Sequence, residues 1–320
     1  MTFFTRLDDL FSEIDLRYCE ICKANVLNEP QFSDAPAHRF HDNLIAFADN
    51  AEFMAHIKVL QNAQGLIPQI NMIYMDPPFY SKNKYMARIK NEESVKLVDV
   101  YDDRWDSLSD YLSELGVRLK LAYDLLEDNG TIFVHLDWHS VHYVKIIMDW
   151  IFGYDAFVNE IIWQYKSGGG SNRRFARKHD TILFYAKGRS YKFNPQSEKS
   201  YNRNLKPYRF KGVEEYRDEH GWYTKVNMRD TWFINMVGRS AAERTGFYTQ
   251  KPEELLKRII ACATDEGDLI ADFYMGSGTS LKVAHDMKRK FIGCDVSANS
   301  FEISQKRLRA AGADFSVVEI

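Results

Sequence analysis

Six short apolar runs punctuate the chain: LIAFAD (44–49), INMIYMD (70–76), GTIFVHLD (130–137), DTILFYAK (180–187), DLIADF (268–273) and KFIGCD (290–295). All are rich in Ile, Val, Leu or aromatic residues and too short for a helix, which predicts buried strands. Most of them end in Asp. Between them stand helical patterns: LSDYLSELGVRLKLAYDLLEDNG, predicted to stop at the glycine after Asn129, and VHYVKIIMDWIFG, predicted to stop at Gly153. Continuous apolar strands alternating with helices predict an α/β fold, a mostly parallel twisted sheet with helices on both faces. In such a sheet ligands bind beyond the carboxyl ends of the strands, where the terminal acids sit.

The alternation breaks from about Trp163 to Thr245, where SGGGSNRRFARKHD is Gly-rich and basic and the following stretch mixes aromatics with charge. That predicts a basic insertion and four segments: an N-terminal extension (1–42), a first part of the main domain (43–160), the insertion (161–245) and a closing part (246–320). Charge sharpens the division. Residues 161–245 hold 18 Lys and Arg against 8 Asp and Glu, a surplus of ten, while the whole chain carries a net charge of -3. A basic segment in an acidic body is the footprint of a phosphate-binding face.

With 45% hydrophobic and 27% charged residues over 320 positions, the composition is that of an ordinary globular protein with a full core. No window approaches the roughly 18 consecutive apolar residues of a spanning helix, and the first residues carry acids, so no membrane association and a cytoplasmic location are expected. Four scattered cysteines make no disulfide framework. Cys19 and Cys22, with His38 and His41, approach a zinc pattern, but the two-residue gap between the histidines is shorter than a finger requires. They read as thiols and histidines of the extension, and no metal is expected. The histidines of HLDWHSVH (135–142) read as solvated or capping.

Two motifs carry chemistry. DLIADFYMGSGTSLKVAHDMKRKFIGCDVS is strand, Gly-rich turn, helix and a second strand ending in Asp295, 23 residues beyond Asp272. An acid at that spacing suits a ribose hydroxyl pair. The third glycine of a dinucleotide fingerprint is replaced by Leu281, so a ribose-bearing ligand without a pyrophosphate, such as S-adenosylmethionine, fits better. Near residue 76, INMIYMDPPFYSK holds Asp76 at a strand end, and Pro77 and Pro78 fix the turn and leave two peptide units without N–H donors. A carboxylate, a rigid carbonyl and the ring of Phe79 suit an amino group on a flat heterocycle.

Together these motifs resemble the amino-group DNA methyltransferases, in which an Asp/Asn/Ser-Pro-Pro-Tyr/Phe motif contacts the target amine and a Phe-x-Gly-x-Gly motif binds S-adenosylmethionine. Here they read Asp76-Pro77-Pro78-Phe79 and Tyr274-Met275-Gly276-Ser277-Gly278. Their order, with the basic segment between, is similar to the beta class, over about Leu44 to Leu308. The resemblance implies a Rossmann-like methyltransferase fold with a target-recognition insertion. FYTQKPEELLKRII resembles the class's Thr-x-Lys-Pro helix, which implies Thr249 and Lys251 near the methionine carboxylate, and LIAFADN implies Asp49 near the cofactor. Asp272, Tyr274, Gly276, Gly278, Thr279 and Asp295 complete the implied cofactor set. Tyr274 stands where Phe is usual and Phe273 where Pro is usual.

Asp as the first residue of the motif points by resemblance to N6 of adenine. Asp76 and the Pro77 carbonyl would accept the two N–H bonds and aim the nitrogen lone pair at the sulfonium methyl, while Phe79 stacks on the base. A base inside a duplex cannot reach such a pocket and must flip out. Lys166, Arg173, Arg174, Arg177 and Lys178, beside Gly168, Gly169 and Gly170, are the expected phosphate contacts. The implied partner is double-stranded DNA, with a homodimer and a cognate restriction endonuclease as further expectations of the class. Rival readings are N4-cytosine methylation, methylation of RNA or of a protein glutamine, and an inactive DNA-binding relic.

Overall fold

The computed structural model describes residues 7–27, 43–64, 68–82, 84–91, 94–167 and 170–320. Along the chain come α1 (Leu7–Leu27), β1 (Asn43–Phe47), α2 (Asn50–Gln64), β2 (Ile70–Met75), β3 (Lys84–Asn91), β4 (Ser94–Asp102), α3 (Leu108–Leu125), β5 (Leu126–Leu136), α4 (Val141–Phe152), β6 (Phe157–Gln164) and β7 (His179–Ala186). They are followed by β8 (Ser197–Tyr201), β9 (Tyr216–Asp218), β10 (Gly221–Asn227), β11 (Thr231–Phe233), α5 (Glu253–Ala263), β12 (Leu269–Asp272), α6 (Thr279–Asp286), β13 (Lys290–Asp295), α7 (Ala298–Ala310) and β14 (Phe315–Glu319). All six predicted strands are present.

Nine strands form one sheet in the order β11-β6-β7-β5-β2-β12-β13-β1-β14. Every pairing is parallel except the two made by β7, which runs against both β5 and β6. Successive side chains of a strand face opposite layers. In β2, Ile73 and Met75 join the layer of α1, α2, α3 and α4, whereas Met72 and Tyr74 join that of α5, α6 and α7. Burial on both faces is why these runs are continuously apolar rather than alternating.

The helix predicted to run to Asn129 stops at Leu125, and Leu126 already belongs to β5. Ile70 pairs with Leu126 and Met72 with Thr131, so Glu127 to Gly130 bulge out between two ladder positions. Gly130 is required there, because a Cβ would lie 3.0 Å from the Ile70 carbonyl oxygen. By contrast α4 ends as predicted, with Gly153 at φ 95° after its last residue.

Of residues 161–245, β7 and β11 are strands of the main sheet, and a separate three-stranded sheet, β8-β10-β9, is confined to residues 197–227. In the N-terminal extension, α1 packs Leu10 and Ile14 into the core. Cys19 is exposed and Cys22 half-buried on this helix, while His38 and His41 lie outside the described residues. Among the described residues no helix is long and apolar enough to cross a membrane.

Candidate active site

Five neighbouring parallel strands, β5, β2, β12, β13 and β1, finish at one edge of the sheet, each at or just before an aspartate: Asp137, Asp76, Asp272, Asp295 and Asp49. Beyond that edge lies a cavity of about 710 Å³, within the range that encloses a small organic ligand. It is lined by Asp49, Asp76, Pro77, Pro78, Phe79, Thr249, Lys251, Asp272, Tyr274, Gly276, Thr279 and Asp295, among others. Sequence positions far apart in the chain are thus brought to a single wall.

Asp76 divides its two oxygens. Oδ2 takes the Lys251 ammonium at 2.5 Å, and Oδ1 is buried without a hydrogen-bond partner. An unpaired buried acceptor costs about 1–3 kcal/mol, so Oδ1 is poised to accept an N–H. The Lys251 nitrogen also stands 5.4 Å from the centre of the Phe79 ring. The motif is braced from behind. Tyr111 donates its hydroxyl to the Pro78 carbonyl at 2.8 Å, and the buried Asp103 carboxylate accepts from the Tyr80 N–H at 3.0 Å and the Ser81 N–H at 2.7 Å. Those bonds, with the Lys82 N–H donating to the Asp103 carbonyl at 3.1 Å, hold Tyr80 and Lys82 at φ near +60°, a left-handed conformation that non-glycine residues adopt only where surroundings enforce it.

Beneath Phe79 lies a residue whose role is not apparent from spacing. His135, read above as solvated or capping, is fully buried, its ring 5.9 Å from that of Phe79 and inclined by 27°. The register of β2, β5 and β7 accounts for the correction, because it turns His135 to the same layer as Tyr74 and Asp180. Tyr74 Oη lies 2.8 Å from His135 Nδ1, Asp180 Oδ2 lies 3.3 Å from Nε2, and Tyr165 donates to the other Asp180 oxygen. Burial pushes the Asp180 carboxyl up, but the His135 hydrogen bond and charge, Lys251 and Tyr165 together hold it below the usual range.

On the other side of the cavity Gly276 and Gly278 take φ of 50° and 69°. Asp295 Oδ2 accepts the Gly276 N–H at 2.9 Å and Oδ1 the Ser297 N–H at 2.8 Å. Asp272 accepts from the Tyr274 N–H at 3.0 Å and from the Ser280 hydroxyl. Burial outweighs these bonds, pushing Asp272 up to about 7 and Asp295 up to about 6. Asp49 is held by Arg118, whose Nη2 lies 3.1 Å from Oδ2 and whose Nε bonds Asn50. Gly278 is not on the cavity wall; it faces α7, where a Cβ would meet Ser304 Oγ at 2.9 Å. The Thr279 hydroxyl accepts from Arg307 at 2.7 Å.

The five basic residues expected on DNA lie outside the cavity, at the same edge of the sheet. Arg173, Arg174 and Lys166 are exposed, the Arg177 guanidinium lies 3.4 Å from the centre of the Trp138 ring, and Lys178 donates to the Ser167 carbonyl at 2.7 Å. Gly168 and Gly169 lie outside the described residues, and Gly170 is exposed.

The family model described as DNA methylase, of the N6 and N4 methyltransferase type, matches residues 70–306, well over half of the chain. A type II methyltransferase of Lactococcus lactis subsp. cremoris, M2.LlaDCHI, is 28% identical over 281 residues, covering 85% of this chain and 91% of the relative. M2.DpnII of Streptococcus pneumoniae, also a type II methyltransferase, is 28% identical over 283 residues and covers 86% and 92%. The solved structure of an M1.HpyAVI–SAM complex superimposes with a TM-score of 0.54 over 83% of this chain and 98% of that one; at 20% identity the likeness is one of fold. The strand order, the cavity at the strand ends and the family match agree: the chain belongs to the DNA methylase family, the N6- and N4-methyltransferases.

Proposed function

We propose that this chain transfers a methyl group from S-adenosylmethionine to the N6 amine of an adenine flipped out of double-stranded DNA. The observation that carries the reading is Asp76. One of its oxygens already binds a cationic N–H donor above the Phe79 ring, and the other is buried and unpartnered. An exocyclic amine entering over Phe79 can take Oδ1 while Lys251 keeps Oδ2, so one carboxylate serves both. With the Pro77 carbonyl as second acceptor, as the resemblance implies, the amine lone pair is drawn out of conjugation and positive charge developing on nitrogen is met by Asp76. Phe79, backed by His135, holds the base flat.

The cavity and its walls fit the methyl donor. Asp295 and the Gly276 turn suit the ribose, Asp49, Asp272 and Tyr274 close the adjoining wall, and Thr249 and Lys251 are assigned to the methionine carboxylate by the class resemblance, although the Lys251 ammonium is bonded to Asp76. Gly278 acts from behind, shaping the turn against α7, and Thr279 lines the cavity while its hydroxyl is tied to Arg307. When bound, S-adenosylmethionine supplies a methyl group activated by its sulfonium.

Residues 161–245 serve target recognition, supported by their surplus of basic side chains and the separate sheet β8-β10-β9. Lys166, Arg173, Arg174, Arg177 and Lys178 contact phosphates. The type II names of the relatives support a cognate restriction endonuclease as functional partner and, with it, a cytoplasmic site of action; a homodimer rests on the class resemblance.

The test is incubation with methyl-labelled S-adenosylmethionine and unmethylated DNA, followed by digestion to nucleosides. Label in N6-methyladenine is expected. Label in N4-methylcytosine overturns the base assignment, and DNA retention with no label marks a relic. Asp76→Ala should lower transfer at least about 100-fold while the dissociation constant for S-adenosylmethionine moves less than about threefold.

A further inference from the structure

Phe175 is 98% exposed, the most exposed large apolar side chain among the described residues. It lies in the basic segment that enters β7, with Arg173 and Arg174 before it and Arg177 and Lys178 after it, and residues 171–177 are all exposed. Because β7 alone runs against the other strands, this segment emerges at the edge where β2 and β5 end and where the cavity opens. Its base is fastened. Tyr165 N–H donates to the Lys178 carbonyl at 3.1 Å, Lys178 Nζ bonds Ser167, and Arg177 stacks on Trp138, two residues beyond the end of β5.

A phenyl ring held out in water loses the transfer free energy that burial would return. Four cations around it would be an odd setting for a protein contact in an apolar interface, and a fitting one for a duplex. Phosphates take the guanidinium and ammonium groups, and a bare ring among them reaches the stacked bases. Extruding a base leaves a gap in the stack, and the enzyme must offset the lost stacking.

Resting on the reading of this chain as a methyltransferase that flips its target, we infer that Phe175 is the wedge that enters the duplex and fills the space the target base vacates. It is a positioning residue, acting on the duplex and not on the reacting atoms. Its contribution is made only where the target must leave a continuous stack, and is not needed where the stack is already broken.

The experiment compares wild type with Phe175→Ala on two synthetic duplexes carrying the site mapped by sequencing DNA that the wild type has methylated. One is fully paired, and the other has an abasic position opposite the target adenine. On the paired duplex, Phe175→Ala should lose about 10- to 100-fold in kcat/KM, the range of one base-aromatic stack. On the abasic duplex its loss should shrink below about threefold. Phe175→Trp should stay within about threefold of wild type on both. With 2-aminopurine at the target position, the fluorescence rise on binding should be large for wild type and Phe175→Trp and small for Phe175→Ala. Equal losses on the two duplexes, or no loss on the paired one, overturn the wedge while leaving the methyltransferase intact. Failure of the wild type to methylate any DNA overturns the underlying reading and the wedge with it.

Discussion

Asp272 and Asp295 close their strands inside the protein, and burial raises them to about 7 and about 6 against an ordinary aspartate near 3.9. A carboxyl whose folded pKa lies above its unfolded one contributes stability that is full below about pH 4 and is lost as pH rises through the folded value. A ligand that donates hydrogen bonds to these groups, or brings positive charge beside them, favours their ionised forms and so binds better across the same window. Calorimetric titration with S-adenosylmethionine should show the dissociation constant falling about tenfold between pH 5 and pH 7.5. Asp295→Asn should reduce that dependence to the part set by Asp272, and a wild-type value that does not move with pH would contradict the assignment. Both acids were legible in the sequence because each ends an apolar run and the spacing between them fits a strand-helix-strand unit. His135 was not, since its burial depends on which strands flank β5 and in what register, and no local pattern encodes that. Lys251 was placed by resemblance at the cofactor, and its bond to Asp76 comes from a pairing across 175 positions.

The Gly-rich turn shows how an element is set by what lies behind it. Gly278 caps α6 in a left-handed conformation and backs onto Ser304 of α7, while Ser304 Oγ donates to the Gly276 carbonyl at 2.8 Å. Arg307, one turn further along α7, ties Thr279 to Glu253 of α5. Adding a Cβ at 278 both strains the backbone and presses on Ser304, so Gly278→Ala should cost about 2–4 kcal/mol, read as a lower midpoint in urea unfolding at unchanged slope. A variant as stable as wild type would mean that α7 shifts freely against the turn. At this scale the sequence resolved the strands and the Gly153 stop, because fully buried runs and a left-handed glycine leave strong local signatures. It misplaced the end of α3, because LLEDNG carries helix formers and a glycine and only the ladder with β2 reassigns it to a bulged strand. The brace of Asp103 under Tyr80 and Ser81 is likewise a contact across a hairpin, β3–β4, that interrupts the motif from its support.

Across the whole molecule the surplus of ten basic residues in 161–245 stands against 24 Lys and Arg and 37 Asp and Glu elsewhere. A polyanion is therefore drawn to residues 161–245 and repelled by the rest of the chain, which biases the encounter before any base is read. The acidic ends of β2, β12, β13 and β1 line the cavity, where Lys251 and Arg118 offset part of their charge, whereas Arg173, Arg174 and Arg177 are exposed outside it, at the same edge of the sheet. Phosphate contacts made this way release counterions, and the logarithm of DNA affinity should fall linearly with the logarithm of salt concentration, by about 0.9 per phosphate neutralised. Arg173 and Arg174 are exposed where the chain enters β7, at the edge of the sheet beyond which the cavity lies, and can reach separate phosphates. Replacing both with Ala should reduce the slope by about 1.8 and weaken binding by a similar factor on every sequence tested. The measurement is fluorescence anisotropy on duplexes with and without the methylation site, from 50 to 300 mM salt. An unchanged slope would show these arginines to be solvated surface, and a loss confined to the specific duplex would move them from phosphate contact to base reading.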